Sequence, residues 1–282
     1  MATIGTLSTY LENKLINHLL RNTASSPTSV WVALYTIAPS HTRPGTEVST
    51  VNTGYTRIRI GAGSSISITV SGNSATNYSK IEFPESTATW GTIVGVAIMD
   101  ASSDGNILFW GQTNNQVAIS TGEIFSIPVG FLIIELSSGT KGGWGNGIPA
   151  QILNHVLNNS AMSSPGTSVY VALGKNLVVD TDYNFVSWTE VSTSGGTGYG
   201  RKQVQGTSAW YSPISGSTTN LSDVVFASPP IAVDWGAITH VVVFNNSTGG
   251  NALLWGKLGA PVWITSGDGF KFAAGNIDVV ID

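Results

Sequence analysis

Leu7, Leu11, Leu15 and Leu19 recur every four residues, with Ile16 and Leu20 beside them, and this spacing lines one side of a helix. Thr9 and Glu12 fit a capping box at its start. A second helix is predicted around 152–157, with Pro149 in its first turn, where the missing N–H of proline loses no hydrogen bond. Helices of two or three turns are marginal alone in water, so each must lie against a sheet. Most of the remaining apolar runs are short, β-branched or aromatic, and bounded by Gly, Pro, Asn or Ser. They predict strands at 30–35, 56–60, 65–70, 93–99, 107–110 and 131–136, then at 169–173, 224–226, 240–244, 253–255 and 276–281. Only the opening helices interrupt the strands. The fold class expected is all-β: two antiparallel, jelly-roll-like β-sandwich domains, each opening with a short α-helix.

The two domains are expected because the pattern repeats. Leu15-Ile16-Asn17-His18 returns as Ile152-Leu153-Asn154-His155, Ser25-Ser26-Pro27 as Ser163-Ser164-Pro165, and Val30-Trp31-Val32-Ala33-Leu34 as Val169-Tyr170-Val171-Ala172-Leu173. Glu47-Val48-Ser49 matches Glu190-Val191-Ser192, and Gly54-Tyr55-Thr56-Arg57 matches Gly198-Tyr199-Gly200-Arg201. Trp90-Gly91 pairs with Trp235-Gly236, and Trp110-Gly111 with Trp255-Gly256. The offset grows from 137 residues at Leu15 to 145 at Trp90, as small loop insertions in the second copy require. A tandem duplication of a unit of roughly 140 residues explains this order. The boundaries that follow are 1–137 for the first repeat, 138–147 for a Gly-rich linker and 148–282 for the second. Five glycines make a flexible coil the expected state of the linker, with Trp144 out of place in it and a candidate to dock against one of the two domains.

Composition narrows the function classes. Charged residues are only 10% of the chain, against roughly 25% in ordinary domains, so the surface is neutral and rich in hydroxyls and amides. Such a surface suits a protein packed into an assembly. A net charge of −4 and no basic run longer than Arg201-Lys202 argue against nucleic acid as a partner. No apolar stretch is long enough to span a bilayer, and the opening residues lack the basic start and cleavage site of a signal peptide. Without cysteine there is neither a disulfide framework nor a thiolate zinc site.

No motif carries chemistry. His18 and His155 are repeat equivalents in the helices; with His41 and His240 they complete the histidines, and helix-face packing explains the matched pair better than a metal site. The run Asp180-Thr181-Asp182-Tyr183-Asn184 imitates a calcium loop but places Phe185 where glycine is required and Val191 where a bidentate Glu belongs. The segment Gly195-Gly196-Thr197-Gly198-Tyr199-Gly200 misses the dinucleotide fingerprint and reads as a mobile loop. No serine elbow and no acidic pair shared by both copies supports a hydrolase. The expectation is a non-enzymatic protein with no catalytic residues, cofactor or metal. Trp90, Trp110, Trp235 and Trp255 occur in both copies and belong to the packing of the fold. Trp144, Trp188, Trp210, Tyr211 and Trp263 have no clear counterpart and are the candidates for subunit-interface or glycan contact.

Residues 11–23 with Leu11-Glu12-Asn13-Lys14-Leu15, the stretch 26–36, Glu47-Val48, Gly54-Tyr55, Arg57, Ala88-Thr89-Trp90-Gly91 and Gly105-Asn106 with Trp110-Gly111 resemble the tailed-bacteriophage virion proteins called tail fibre proteins of the Gp80-like type. The resemblance covers nearly all of the first copy and, more loosely, the second, where Gly174 follows Leu173 and residues 176–187 form an insertion. It implies a non-enzymatic virion structural protein on the particle exterior, localised to the virion after assembly in the host cytoplasm. Two other roles fit the same composition: a capsid decoration (cement) protein, and a host-glycan-binding module. The partners expected are further copies of the chain (a trimer would present six similar domains), other virion proteins and a host surface glycan, with no membrane insertion.

Overall fold

Both apolar stripes form helices, α1 over Thr9–Arg21 and α2 over Ile148–Asn158, except that Leu7 falls before α1 on the strand Thr6–Leu7, held extended by its pairing with Phe109. The structure, a computed structural model, describes residues 2–4, 6–23, 27–40, 43–163, 165–166, 168–227 and 231–281; Ser25, Ser26, His41 and Ser164 lie outside them. The cap of α1 is Ser8 rather than the expected Thr9, since Ser8 Oγ accepts the Leu11 N–H at 3.1 Å. Glu12 is buried. Helix α2 starts from Gly147 with Pro149 in the first turn, and both helices end on a left-handed asparagine, Asn22 and Asn159. Asparagine tolerates that conformation better than most residues.

In the first half, Thr46–Glu47, Val30–Ile37, Gly91–Met99 and Ile107–Ile119 lie side by side and antiparallel, with Ile58–Ile60 extending the Val30–Ile37 edge. A register shift between Gln112 and Val117 bends the last of these strands. From there the second layer continues through Ala2–Ile4, Leu132–Glu135, Ser74–Asn77 and Ile68–Ser71. Ala2–Ile4 runs parallel to Leu132–Glu135, an exception in an otherwise antiparallel fold. The second half repeats the plan with Gly142–Trp144, Ala252–Ile264, Gly236–Phe244, Tyr170–Val179 and Phe185–Glu190 in one sheet. Two short ladders face it, Ser217–Thr219 with Asp278–Val280 and Val224–Ala227 with Phe270–Phe272. The chain is thus a mostly-β, antiparallel protein of two similar sandwich halves.

Strand alternation places the core between the layers. Val30, Val32 and Leu34 point inward to meet Phe83, Leu132 and Ile134 from the facing layer, while Ala33 and Tyr35 point outward with Ala97 and Met99. The strand expected at 107–110 continues to Ile119 through Gln112, Asn114, Asn115 and Gln116, exposed polar residues that carry no apolar signal. The coil expected over 138–147 is not a free linker at its centre. Gly142–Trp144 pairs with Leu254 to Gly256, because the buried Trp144 draws its backbone into a site where N–H and C=O groups need partners.

The helices join the halves. Each is tethered at its start to its own half, α1 by Ser8 N–H to Leu108 C=O (2.9 Å) and α2 by Gly145 N–H to Leu253 C=O (2.7 Å). Each then reaches the other half. Leu20 C=O in α1 accepts the Gly206 N–H at 3.0 Å, and its repeat equivalent Leu157 C=O in α2 accepts the Ala62 N–H at 3.2 Å. Asn13 Oδ1 receives the Gly216 N–H, and Asn158 Nδ2 donates to Ile68 C=O. His18 and His155 meet where the helices pass, with ring centroids 5.1 Å apart. One continuous apolar core therefore contains Leu15, Ile16 and Leu19 of α1, Ile152, Leu153 and Val156 of α2, and residues of both sheets.

Candidate interaction site

The repeated charged residues build a structural pin in each half. Arg57 Nη2 and Nε both donate to Glu47 (2.7 and 2.8 Å), while Nη1 donates to the carbonyls of Ala101 and Asp104 (2.7 Å each). Tyr55 donates its hydroxyl proton to Glu47 and accepts the Leu34 N–H at 2.9 Å. The second half repeats every contact: Arg201 with Glu190 and the carbonyls of Asn246 and Gly249, Tyr199 with Glu190 and the Leu173 N–H. Burial, reinforced by the nearby carboxylate, pushes both tyrosine hydroxyls far above the usual phenol range. With four guanidinium bonds each, the pins fasten a loop to the sheet.

The other suspected loops are also held by their own side chains. Asp180 accepts the N–H groups of Asp182 and Asn184 and the Asn184 amide. Burial pushes its carboxyl upward, but these bonds outweigh it and hold the group below the ordinary carboxylate range. The loop expected to be mobile at 195–200 is tied down at Thr197, whose hydroxyl donates to Ser192 C=O and whose carbonyl accepts Trp235 Nε1–H. His155 bonds Ser160 C=O through Nδ1 at 2.9 Å. Among the described residues no three His, Asp or Glu side chains group as metal ligands would.

The five unmatched aromatic residues are scattered. Trp210 is fully buried, its Nε1–H donating to Val204 C=O. Trp188 packs on the outer face of the sheet, tilted against Phe244 at 5.5 Å. Tyr211 and Trp263 are 52% and 72% exposed. Trp144 is buried, donates to Ser137 C=O at 3.1 Å, and forms part of the wall of a groove. No ring contact joins any two of the five among the described residues, so they do not form a common platform.

That groove, about 870 Å³, is the concavity that the sequence did not reveal. It runs along the second half between the turn at 137–144, the Ala252–Ile264 strand and the closing Asp278–Val280 strand. Val241, Val243, Leu254 and Val279 give it an apolar floor, and Lys141, Lys257 and Asp278 stand on its rim. The out-of-place Trp144 was the one sequence signal that pointed toward it.

The family model described as podophage GP4 fiber I protein gp80 matches residues 6–135 and again residues 144–280. The chain belongs to this family and carries its unit twice, in tandem. No curated protein matches it.

Proposed function

We propose, from this membership in a podophage fibre family, that the chain is a non-enzymatic building block on the tail side of the particle, where it helps present the surface that meets the host. The observation that carries the reading is the double match to a fibre unit together with the way the two units interlock. Helix contacts across the halves join them through one continuous apolar core. A body of this kind suits a load-transmitting part, and its charge-poor surface suits close packing against neighbours. The carboxylates of Glu47, Glu190 and Asp180 accept bonds from within their own halves, which supports a structural role.

Gold labelling of a tagged chain on intact particles tests the location. Label at the tail is expected, whereas label distributed over the head would replace this reading with capsid decoration. A homo-oligomer, with a trimer offering six similar lobes, is part of the same proposal; sedimentation showing only monomer at micromolar concentration would remove it. Glycan contact is left to Tyr211 and Trp263, the two candidates that reach solvent freely, and a glycan array with the wild-type chain and a Trp263→Ala variant tests it.

A further inference from the structure

The two halves differ at the edge beside their closing strands. In the first half Ala2–Ile4 fills that edge: Ala2 stands opposite Thr113, and Ala2, Thr3 and Ile4 stand opposite Leu132, Ile133 and Ile134 in parallel. This strand closes the wall between the two layers. The next residues keep the repeat, since Leu7 pairs with Phe109 just as Trp144 pairs with Leu254. The position of Ala2–Ile4 therefore corresponds to residues 139–141. In the second half those residues turn back, with Gly139 N–H donating to Gly142 C=O, because they arrive from the end of the first half. Among the described residues the Asp278–Val280 strand is consequently paired on one side only, to Ser217–Thr219.

Burial records the missing strand. Ile134, Phe109 and Val96 of the first half are at most 1% exposed, whereas their equivalents Val279, Leu254 and Val241 are all partly exposed on the groove floor. The backbone agrees. Ile277 C=O and Ile281 N–H bond toward the Ser217–Thr219 side, so the alternation of an antiparallel ladder turns the polar groups of Asp278 and Val280 to the groove. An edge of unpaired N–H and C=O groups over an apolar floor is a template for one more strand. The matched family unit begins at residue 6, so the strand that closes the first slot lies outside the repeated unit. The unit brings an open slot, and a segment from elsewhere fills it.

We infer that the groove of the second half accepts a β-strand supplied in trans by a neighbouring polypeptide: a short, extended, uncharged segment with small or β-branched side chains, running parallel to Asp278–Val280. The chemistry of the occupant is that of Ala2-Thr3-Ile4, which fills the equivalent slot. Main-chain hydrogen bonds to the open edge supply affinity, and pockets beside Val241, Leu254 and Val279 select the alternate side chains. The slot itself follows from the fold; that the donor is another particle protein rests on the fibre-component reading.

The test uses the full chain and a capped synthetic peptide of residues 2–7, Ala-Thr-Ile-Gly-Thr-Leu. At millimolar peptide, hydrogen exchange at the Asp278 and Val280 amides is expected to slow at least tenfold, with a change in tryptophan emission from Trp144 and Trp255 on the groove wall. A fully N-methylated peptide, which lacks the donors, is expected to do neither. Unchanged exchange with the plain peptide would overturn the inference, as would equal protection by the methylated one. Concentration-dependent self-association that the peptide reverses would assign the slot to a second copy and overturn a separate donor. None of these measurements requires the particle, so their failure leaves the assembly reading standing, and a head location leaves the slot standing.

Discussion

Where the first half carries Tyr35 on the outer face of its main sheet, the second carries Gly174, and the two faces are finished differently as a result. Tyr35 turns its hydroxyl to the Met99 sulfur at 3.6 Å; burial and the Glu47 carboxylate push that hydroxyl up to about 12. A Cβ on Gly174 would meet the Trp188 ring at 2.2 Å, so the small residue makes room for the indole. Trp188 arrives on the Phe185–Glu190 strand, which begins within the insertion of the second copy, and packs tilted against Phe244 while Phe185 meets that ring edge-on; Phe244 stands where the first half has Met99. Arg201 covers the other side of Phe244, 3.7 Å from the ring centroid. One deletion to hydrogen and one insertion were thus compensated together. The comparison teaches that a duplicated sheet diverges first at its outer face and edges, where partners can change, and last in the layer that both halves share.

The largest effect expected concerns the buried core, at a tryptophan particular to the second half. Trp210→Ala should lower unfolding stability by about 4 kcal/mol, because it empties a fully buried site, while its exposed neighbour Tyr211→Ala should stay within about 0.5 kcal/mol. Urea unfolding followed by fluorescence and by circular dichroism should remain one coincident transition. A split into two transitions would show that the halves unfold separately and break the comparison.

The charged pins test how closely the copies still match. Glu47→Ala and Glu190→Ala should each cost about 3 kcal/mol, since each leaves a guanidinium with under a tenth of its side chain exposed and no carboxylate. The second should be milder by about 0.5 kcal/mol, because Arg201 keeps its cation–π contact with Phe244. Equal losses in denaturant melts would deny that contact any value.

The helix exchange is sharpened by two glycines at positive φ. A Cβ at Gly61 (φ 68°) would lie 1.9 Å from Leu157 C=O of the opposite half, so Gly61→Ala should cost about 2–3 kcal/mol. Gly206 (φ 95°) has open space around it, and its alanine variant should cost about 1 kcal/mol from backbone strain alone. Similar melting temperatures for the two variants would mean that the inter-half contact is soft.

The smallest effect is a pH dependence confined to the second copy, where His240 occupies the place of Gly95. Burial, then the Lys257 ammonium, holds the His240 imidazole below its ordinary value of 6.5. The unfolded chain therefore takes up the proton first as pH falls through about 6.5, so stability is full above that pH and declines below it. His240→Gln should flatten the decline measured by melts between pH 7.5 and 5.5. An unchanged slope would assign the acid sensitivity elsewhere.

Much of this was legible in the residues themselves. The helices, the inner strands and the tandem plan followed from apolar spacing and from repeated words such as Gly-Tyr-x-Arg and Trp-Gly, since local periodicity decides local structure. Trp144, odd in a glycine-rich linker, pointed to docking on a domain, whereas the buried role of Trp210 did not follow, because a tryptophan unmatched between copies can fill a core as readily as an interface. The second stretches of Ile107–Ile119, polar from Gln112 to Gln116, and of Ala252–Ile264, interrupted by Gly256, Gly259 and Pro261, were missed as strand because pairing with a neighbour, not side-chain pattern, holds them extended.

The sequence by itself determined that two copies of one sheet-rich unit follow each other, and where each copy's inward-facing residues lie. Only the tertiary structure decided that each helix crosses to the other half, that Trp188 replaces Tyr35, and that one slot is closed by Ala2–Ile4 while its twin stays open. These outcomes depend on which segments meet across more than a hundred residues of chain, and residue spacing along one strand holds no record of its distant neighbours.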